Sequence, residues 1–289
     1  MVASAESITV RRLNLSFPAN LDPMVIEGQP EESFITVGLS LLLPYLEPYL
    51  IRTMHAAKER VTDPDIARAL ALFNGQEGQH YRQHIRFNEA ICKDGFDKLK
   101  ELEAELDADY KRFTETRSLR FNLAYAEGFE AFTTAMARFS FETKMLDRIV
   151  GPAQDLFRWH LVEELEHRTV AFDVYDHVYG GYFYRLFVGL FAQWHLNRFV
   201  IKAALVMVEA EREALETKYG GRAGYWERAK PQLRRAARHL LPKVLATYLP
   251  WYTPHSIEMP EEAVAMAAHY SALASDADGQ KKASTPRSP

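Results

Sequence analysis

The pattern Glu-x-x-His occurs twice, as Glu77-Gly78-Gln79-His80 and Glu164-Leu165-Glu166-His167, 87 residues apart and each inside a segment with helical periodicity. A helix turns about 100° per residue, so residues three apart lie roughly 60° from each other on one face. Each run therefore sets a carboxylate and an imidazole side by side. Single acids occupy the two remaining helical segments: Glu47 before the first run, and Glu127 or Glu130 between the runs. Two helices giving one Glu each, and two giving Glu-x-x-His, form the ligand set of a dinuclear carboxylate site within a four-helix bundle. Several inward acids are prohibitive without a cation to neutralise them, so such a metal serves folding as well as chemistry.

The rest of the chain supports this all-α reading. Residues 1–30, with Pro18, Pro23 and Pro30, read as an extended N-terminal arm able to wrap the body. Residues 31–180 hold the four-helix bundle. Its first helix spans 32–61, with Pro44 and Pro48 as a kink or as early turns. Thr62-Asp63-Pro64-Asp65 is a helix start for a second helix running to about Cys92, and Lys93-Asp94-Gly95 ends it. A charged stretch at 98–111 reads as a solvated connecting helix. The third core helix spans 119–143, and Gly151-Pro152 opens a fourth that continues to about Tyr179. Residues 181–274 read as a C-terminal helical layer on the same domain: a long helix at 182–219, a basic one at 226–248 and a short one after Pro260. Residues 275–289 read as a disordered tail.

Composition excludes several classes. A net charge of −4 and a pI near 6.2 give no general case for nucleic-acid binding. A lone cysteine, Cys92, excludes an intrachain disulfide framework and thiolate-rich metal sites. The N-terminus lacks the pattern of a secretory signal, so a cytoplasmic location is the expectation. The most membrane-like stretch, 182–208, is interrupted by Arg185, His195, Asn197, Arg198 and Lys202. It reads as a buried or amphipathic helix, and membrane contact is not expected.

The fourth helix offers more than its Glu-x-x-His. His160, Glu164 and His167 fall within an arc of roughly 60°, so His160 is a third imidazole ligand or an outer partner. Glu163 and Glu166 lie roughly 100° and 160° from Glu164 and are not read as ligands. His84, one turn beyond His80, is read as a partner to a ligand. Glu127 and Glu130 both remain open. Carboxylate and imidazole donors suit iron, manganese or zinc.

The runs Phe73-Asn74-Gly75-Gln76-Glu77-Gly78-Gln79-His80-Tyr81-Arg82-Gln83-His84 and Trp159-His160-Leu161-Val162-Glu163-Glu164-Leu165-Glu166-His167-Arg168 resemble the bacterial family labelled "predicted metal-dependent hydrolase", itself similar to ferritin-like proteins. The resemblance covers most of residues 8–260. The family's third-helix motif resembles Glu-His-Phe-Thr-Ala and appears here as Glu130-Ala131-Phe132-Thr133-Thr134, which favours Glu130 over Glu127 and loses the histidine at Ala131. The spacing His160-x-x-x-Glu164-x-x-His167 is also similar to that of di-iron arylamine N-oxygenases. The ligand set implied is Glu47, Glu77, His80, Glu130, Glu164 and His167, with His160 added.

The resulting expectation is a dinuclear non-haem iron protein, an O₂-dependent oxygenase or oxidase acting on a small apolar molecule and served by an electron donor. The aromatic residues Phe73, Phe129, Phe132, Phe139 and Trp159 are candidates for a pocket or for plain core. The alternatives are hydrolysis by water activated between two metals, and a non-catalytic metal protein that dimerises through its 182–219 helix. Oxidation is favoured over hydrolysis because no separate acid or substrate clamp is evident. The extra C-terminal layer argues against a minimal iron-storage shell.

Overall fold

A computed structural model describes residues 8–91 and 96–284. Residues 1–7 of the arm, Cys92, the Lys93-Asp94-Gly95 stop and residues 285–289 lie outside the described residues. The chain is all-α: among the described residues the only β pairing is a single bridge between Ile26 and Ile149.

Helix α1 (Pro30–Ala57) opens with proline in its first turn, where the missing N–H has no helical partner to lose. It continues through Pro44 and Pro48. An interior proline removes the bond to the carbonyl four residues earlier, so Pro44 frees the Ser40 carbonyl. Asn88 of α2 (Pro64–Ile91) donates to that carbonyl at 2.9 Å. Asp63 caps α2, accepting from the Asp65 and Ile66 amides. Helix α3 (Asp97–Thr116) then leads to α4 (Leu119–Glu142), capped by the Ser118 hydroxyl accepting from the Phe121 amide. Helix α5 (Pro152–Glu166) completes a group in which α1 packs on α2 and α4, and α5 on both α2 and α4.

The fourth helix is shorter than its periodicity suggests. It ends at Glu166 with His167 as the cap, and α6 (Val170–Val178) restarts after it. Arg168 holds the break, donating to the Leu165 carbonyl inside and to the Ile257 carbonyl at 2.9 Å outside. The 182–219 segment likewise divides at Glu211 into α7 (Tyr182–Ala210) and α8 (Arg212–Tyr219). The basic segment divides into α9 (Gly221–Arg235), a π turn at Ala236–Leu240 and α10 (Leu241–Ala246), where Pro242 cannot donate a helical bond. Finally, α11 (Glu261–Ser284) is neither short nor followed by a tail from residue 275. Its alanines suit a helix.

Helix α7 covers α4, α1 and α3. Gly128 and Gly189 let α4 and α7 touch: a Cβ on Gly128 would meet the Gly189 Cα at 2.4 Å. Among the described residues one helical stretch, Pro30–Arg60, is long and apolar enough to cross a membrane, yet 67% of its apolar window is buried inside the protein. It is a core helix, and it carries Glu47. The arm crosses α2 and the turn before α5, with Gln83 donating to the Leu13 carbonyl at 2.7 Å and Val150 to the Val25 carbonyl at 2.9 Å.

Candidate metal centre

Glu47 from α1, Glu77 and His80 from α2, Glu130 from α4, and His160, Glu164 and His167 from α5 and its cap are all buried and converge on one point between the four helices. Their donor atoms form three overlapping groups, Glu47–His80–His160, Glu77–His80–Glu164 and Glu77–Glu130–His167, each with atoms within 4.8 Å of one another. Nε2 of His167 lies 3.4 Å from both Glu77 Oε1 and Glu130 Oε2. Oε1 of Glu164 lies 2.9 Å from His160 Nε2 and 3.6 Å from His167 Nε2, so this carboxylate reaches both ends of the cluster.

The surrounding hydrogen bonds fix which nitrogen of each histidine faces inward. Gln76 donates to the Thr9 carbonyl and to Glu166, so its oxygen must accept from His167 Nδ1 at 2.9 Å. That leaves the His167 Nε2 lone pair turned to the acids. Glu163 accepts from the Trp159 indole at 2.7 Å and from Arg11 at 3.0 Å, and its other oxygen takes His80 Nε2 at 2.9 Å. Nδ1 of His80 therefore faces the centre. The third case runs through the carbonyl freed by Pro44. Because Asn88 donates to Ser40 O, its oxygen accepts the Ser40 hydroxyl at 2.6 Å. Ser40 Oγ must then accept from His84 Nδ1, and His84 Nε2 from His160 Nδ1, both at 2.8 Å. His160 presents a bare Nε2 to Glu164 and Glu47.

Behind these partners stands an arginine from the arm. Arg11 is buried and bidentate to Glu166, with contacts of 2.6 and 2.8 Å, and also holds Glu163. Glu163 and Glu166 are thus buried acids with their own counter-charge, outside the three groups. Sequence spacing set them aside as ligands but did not reveal the ion pairs they make, nor the contacts of Arg11, Gln76, Ser40 or Asn88. The one available signal was that two off-arc acids on a buried helix need partners.

Burial and mutual repulsion shift the acids and imidazoles of the cluster strongly. Burial, with Glu77, Glu164 and Glu130 nearby, holds the Glu47 carboxyl well above its usual range. Burial and Glu164 push Glu130 up to about 8. Burial opposes ionisation of Glu164 too, but His167 and His160 hold it well below the ordinary range. Burial would also lower His80, yet Glu163 and Glu77 raise it to about 9. Burial, with His160 and His80 beside it, keeps His84 well below its normal value, consistent with a neutral link. Both oxygens of Glu47, Glu77 and Glu130, one of Glu164, and the inward nitrogens of His80 and His167 lack a hydrogen-bond partner. Unpartnered buried polar atoms are costly and rare. Here they all point at one place, and a carboxylate–imidazole donor set of this kind fits divalent cations.

Glu127 stands apart, in a buried 2.8 Å ion pair with Arg185 of α7. Of the aromatic candidates, Phe73 and Trp159 pack edge-on against His167 and His80. Phe129 and Phe132 line a pocket of about 60 Å³ that reaches His160, together with Leu39, Met136 and Met145. Thr36, Leu39, Met136 and Met145 also line a larger pocket of about 510 Å³, which includes Phe139 and lies between α1, α4, α7 and α9. The two pockets share these four residues, and the smaller one reaches His160 at the histidine-rich end of the cluster.

A family model described as "Predicted metal-dependent hydrolase" matches residues 9–258, and the chain belongs to that family. No curated protein and no solved structure matches it. The expected likeness to arylamine N-oxygenases has no counterpart among these findings, and the family description favours hydrolysis over the oxidation that the sequence reading preferred.

Proposed function

We propose that this chain, as a member of that family, is a dinuclear metal-dependent hydrolase for an apolar substrate. The observation that carries the proposal is the convergence of unpartnered carboxylate and imidazole atoms at the end of an apolar pocket. One ion is assigned to Glu47, His80 and His160, the other to Glu77, Glu130 and His167, with Glu164 reaching both. Four carboxylates balance two divalent charges, whereas one ion leaves a net negative core, and this favours two. Iron, manganese and zinc all suit the donors. Such a pair, when bound, lowers the pKa of water and polarises a substrate oxygen. The protein supplies the rest: Gln76, Glu163 and His84 hold the three imidazoles in their tautomers, and the pocket wall excludes bulk water.

Oxygen-dependent oxidation is the second reading. It is favoured by the pocket lining near His160, where Thr36, Thr133 and Ser140 are the only other polar groups and no cation waits for a leaving group. One experiment separates the two. The metal-loaded protein is offered p-nitrophenyl acyl esters in air and under anaerobic conditions. Hydrolysis predicts ester turnover indifferent to O₂ and lost in Glu164→Ala. No ester turnover, with O₂ consumed by the ferrous-loaded protein, overturns hydrolysis in favour of oxidation.

A further inference from the structure

Helix α7 buries one side and leaves the other bare. Phe183, Phe187, Leu190, Trp194, Ile201 and Leu205 are all exposed, Phe183 by 71% and Trp194 by 58%. They fall within an arc of roughly 60° and extend over roughly 33 Å of helix. Monomeric proteins seldom leave so long an apolar stripe in water.

The segment from α9 to α10 runs beside this stripe. At one end Tyr248 accepts from the Tyr182 hydroxyl at 2.7 Å; at the other, Ala229 and Leu233 share a pocket with Ile201 and Leu205. The segment adds exposed Trp226, Leu233, Leu241 and Leu245, followed by Trp251, which is 74% exposed. Three of the four tryptophans of the chain thus sit on this side, and only Trp159 is core. The charge is as uneven as the hydrophobicity. Residues 221–249 hold seven Lys and Arg against one acid, Glu227, in a chain whose net charge is −4. Arg228, Arg235 and Lys243 pair with Glu31, Glu32 and Glu142. Among the described residues Arg222, Lys230, Arg234 and Arg238 are exposed and enter no ion pair. On α9, Arg222, Trp226, Lys230 and Leu233 share an arc of roughly 80°, so basic and apolar groups face outward together.

Bare aliphatic and tryptophan side chains flanked by unpaired basic groups are what an interfacial helix presents to anionic lipid. A second copy of the chain would bring the same basic segment against itself, whereas anionic headgroups complement it. From this we infer that the α7 and α9–α10 side docks on an anionic lipid bilayer, lying on it without spanning it. Ile201, Leu205 and Leu233 are at once exposed and part of the 510 Å³ pocket lining, so that pocket opens on the docking face. A ligand dissolved in the acyl layer then enters without crossing water. That last step rests on the proposed function; the docking does not.

The test uses the full chain with its metals and vesicles of phosphatidylcholine with or without phosphatidylglycerol. The expected result is co-sedimentation with the anionic vesicles, weakened by salt, with a blue-shifted tryptophan emission quenched by brominated acyl chains. Arg222→Glu/Lys230→Glu should weaken binding at least ~30-fold, and Phe187→Ser/Trp194→Ser should abolish the blue shift. These positions are exposed, and unchanged circular dichroism verifies the fold. Protein that stays in the supernatant with every vesicle, or that binds neutral vesicles equally, overturns the inference. So does a dimer in sedimentation velocity that the Phe187→Ser/Trp194→Ser variant dissociates, because the face then belongs to a second copy. Ester turnover is independent of these outcomes, so failure of docking and failure of the hydrolase reading are distinguishable.

Discussion

Arg11→Met is the perturbation whose effect follows most fully from the geometry. The guanidinium is buried between Glu163 and Glu166, bidentate to Glu166 at 2.6 and 2.8 Å and 3.0 Å from Glu163. Removing it leaves two buried carboxylates without their cation, a change that costs about 3–5 kcal/mol in comparable pairs. Unfolding entropy of about 2 cal/mol/K per residue over 289 residues is about 0.6 kcal/mol/K, so the expected fall in Tm is about 5–8 °C. The same acids support the centre, Glu163 through His80 and Glu166 through Gln76 to His167. Loss of such outer partners weakens metal by roughly 10- to 100-fold. Thermal melts and metal titrations on Arg11→Met and Arg11→Lys, with Arg212→Met as a control, measure both effects. Arg212 pairs with Glu209 on the exposed surface, and its loss should be within about 0.5 kcal/mol. An Arg11→Met protein that melts and binds metal like the control refutes the coupling of arm to site.

Proton release supplies a second expectation. In the metal-free chain Glu130 and His80 are raised to about 8 and about 9, above their unfolded values. Both therefore hold protons in the folded state that the unfolded state has lost, and metal-free stability falls as pH rises from about 4.5 through 9. Metal replaces those protons, so chelation should lower Tm more at pH 8.5 than at pH 6; an equal or smaller drop at the higher pH contradicts the charge argument. His84→Leu removes the acceptor for His160 Nδ1 and should weaken one of two metal equivalents by roughly 10- to 100-fold in a titration; unaltered binding of both demotes the Ser40–His84 link to packing. Gly128→Ala drives a methyl onto the Gly189 backbone and should destabilise by about 1–3 kcal/mol in urea unfolding. A neutral result would mean that α4 and α7 part more easily than their contact implies.

Much of the centre was readable because helical spacing is local. Glu77 with His80, and His160 with Glu164 and His167, are related by one turn, and periodicity alone puts them together. The preference for Glu130 over Glu127 needed the family motif, since both face inward; in the structure Glu127 pairs with Arg185 on α7 while Glu130 sits with Glu77 and His167. What escaped was non-local or irregular. Arg11 contacts Glu163 across 152 positions from a segment with no periodicity. The helix break at His167 carries no glycine or proline; it is held by Arg168 reaching the distant Ile257 carbonyl. The significance of Pro44 also lay in space, since the carbonyl that it frees matters only because Asn88 of α2 lies opposite. The long apolar helix at 182–208 read as buried or amphipathic, and its outer stripe became visible once the buried side was known.

The central claim is that four helices hold two ions, and an anomalous difference map from crystals of the metal-loaded protein tests it most directly. Two peaks are predicted, one bounded by Glu47, His80 and His160 and the other by Glu77, Glu130 and His167, with Glu164 in reach of both. A single peak, or peaks away from these residues, would contradict the account.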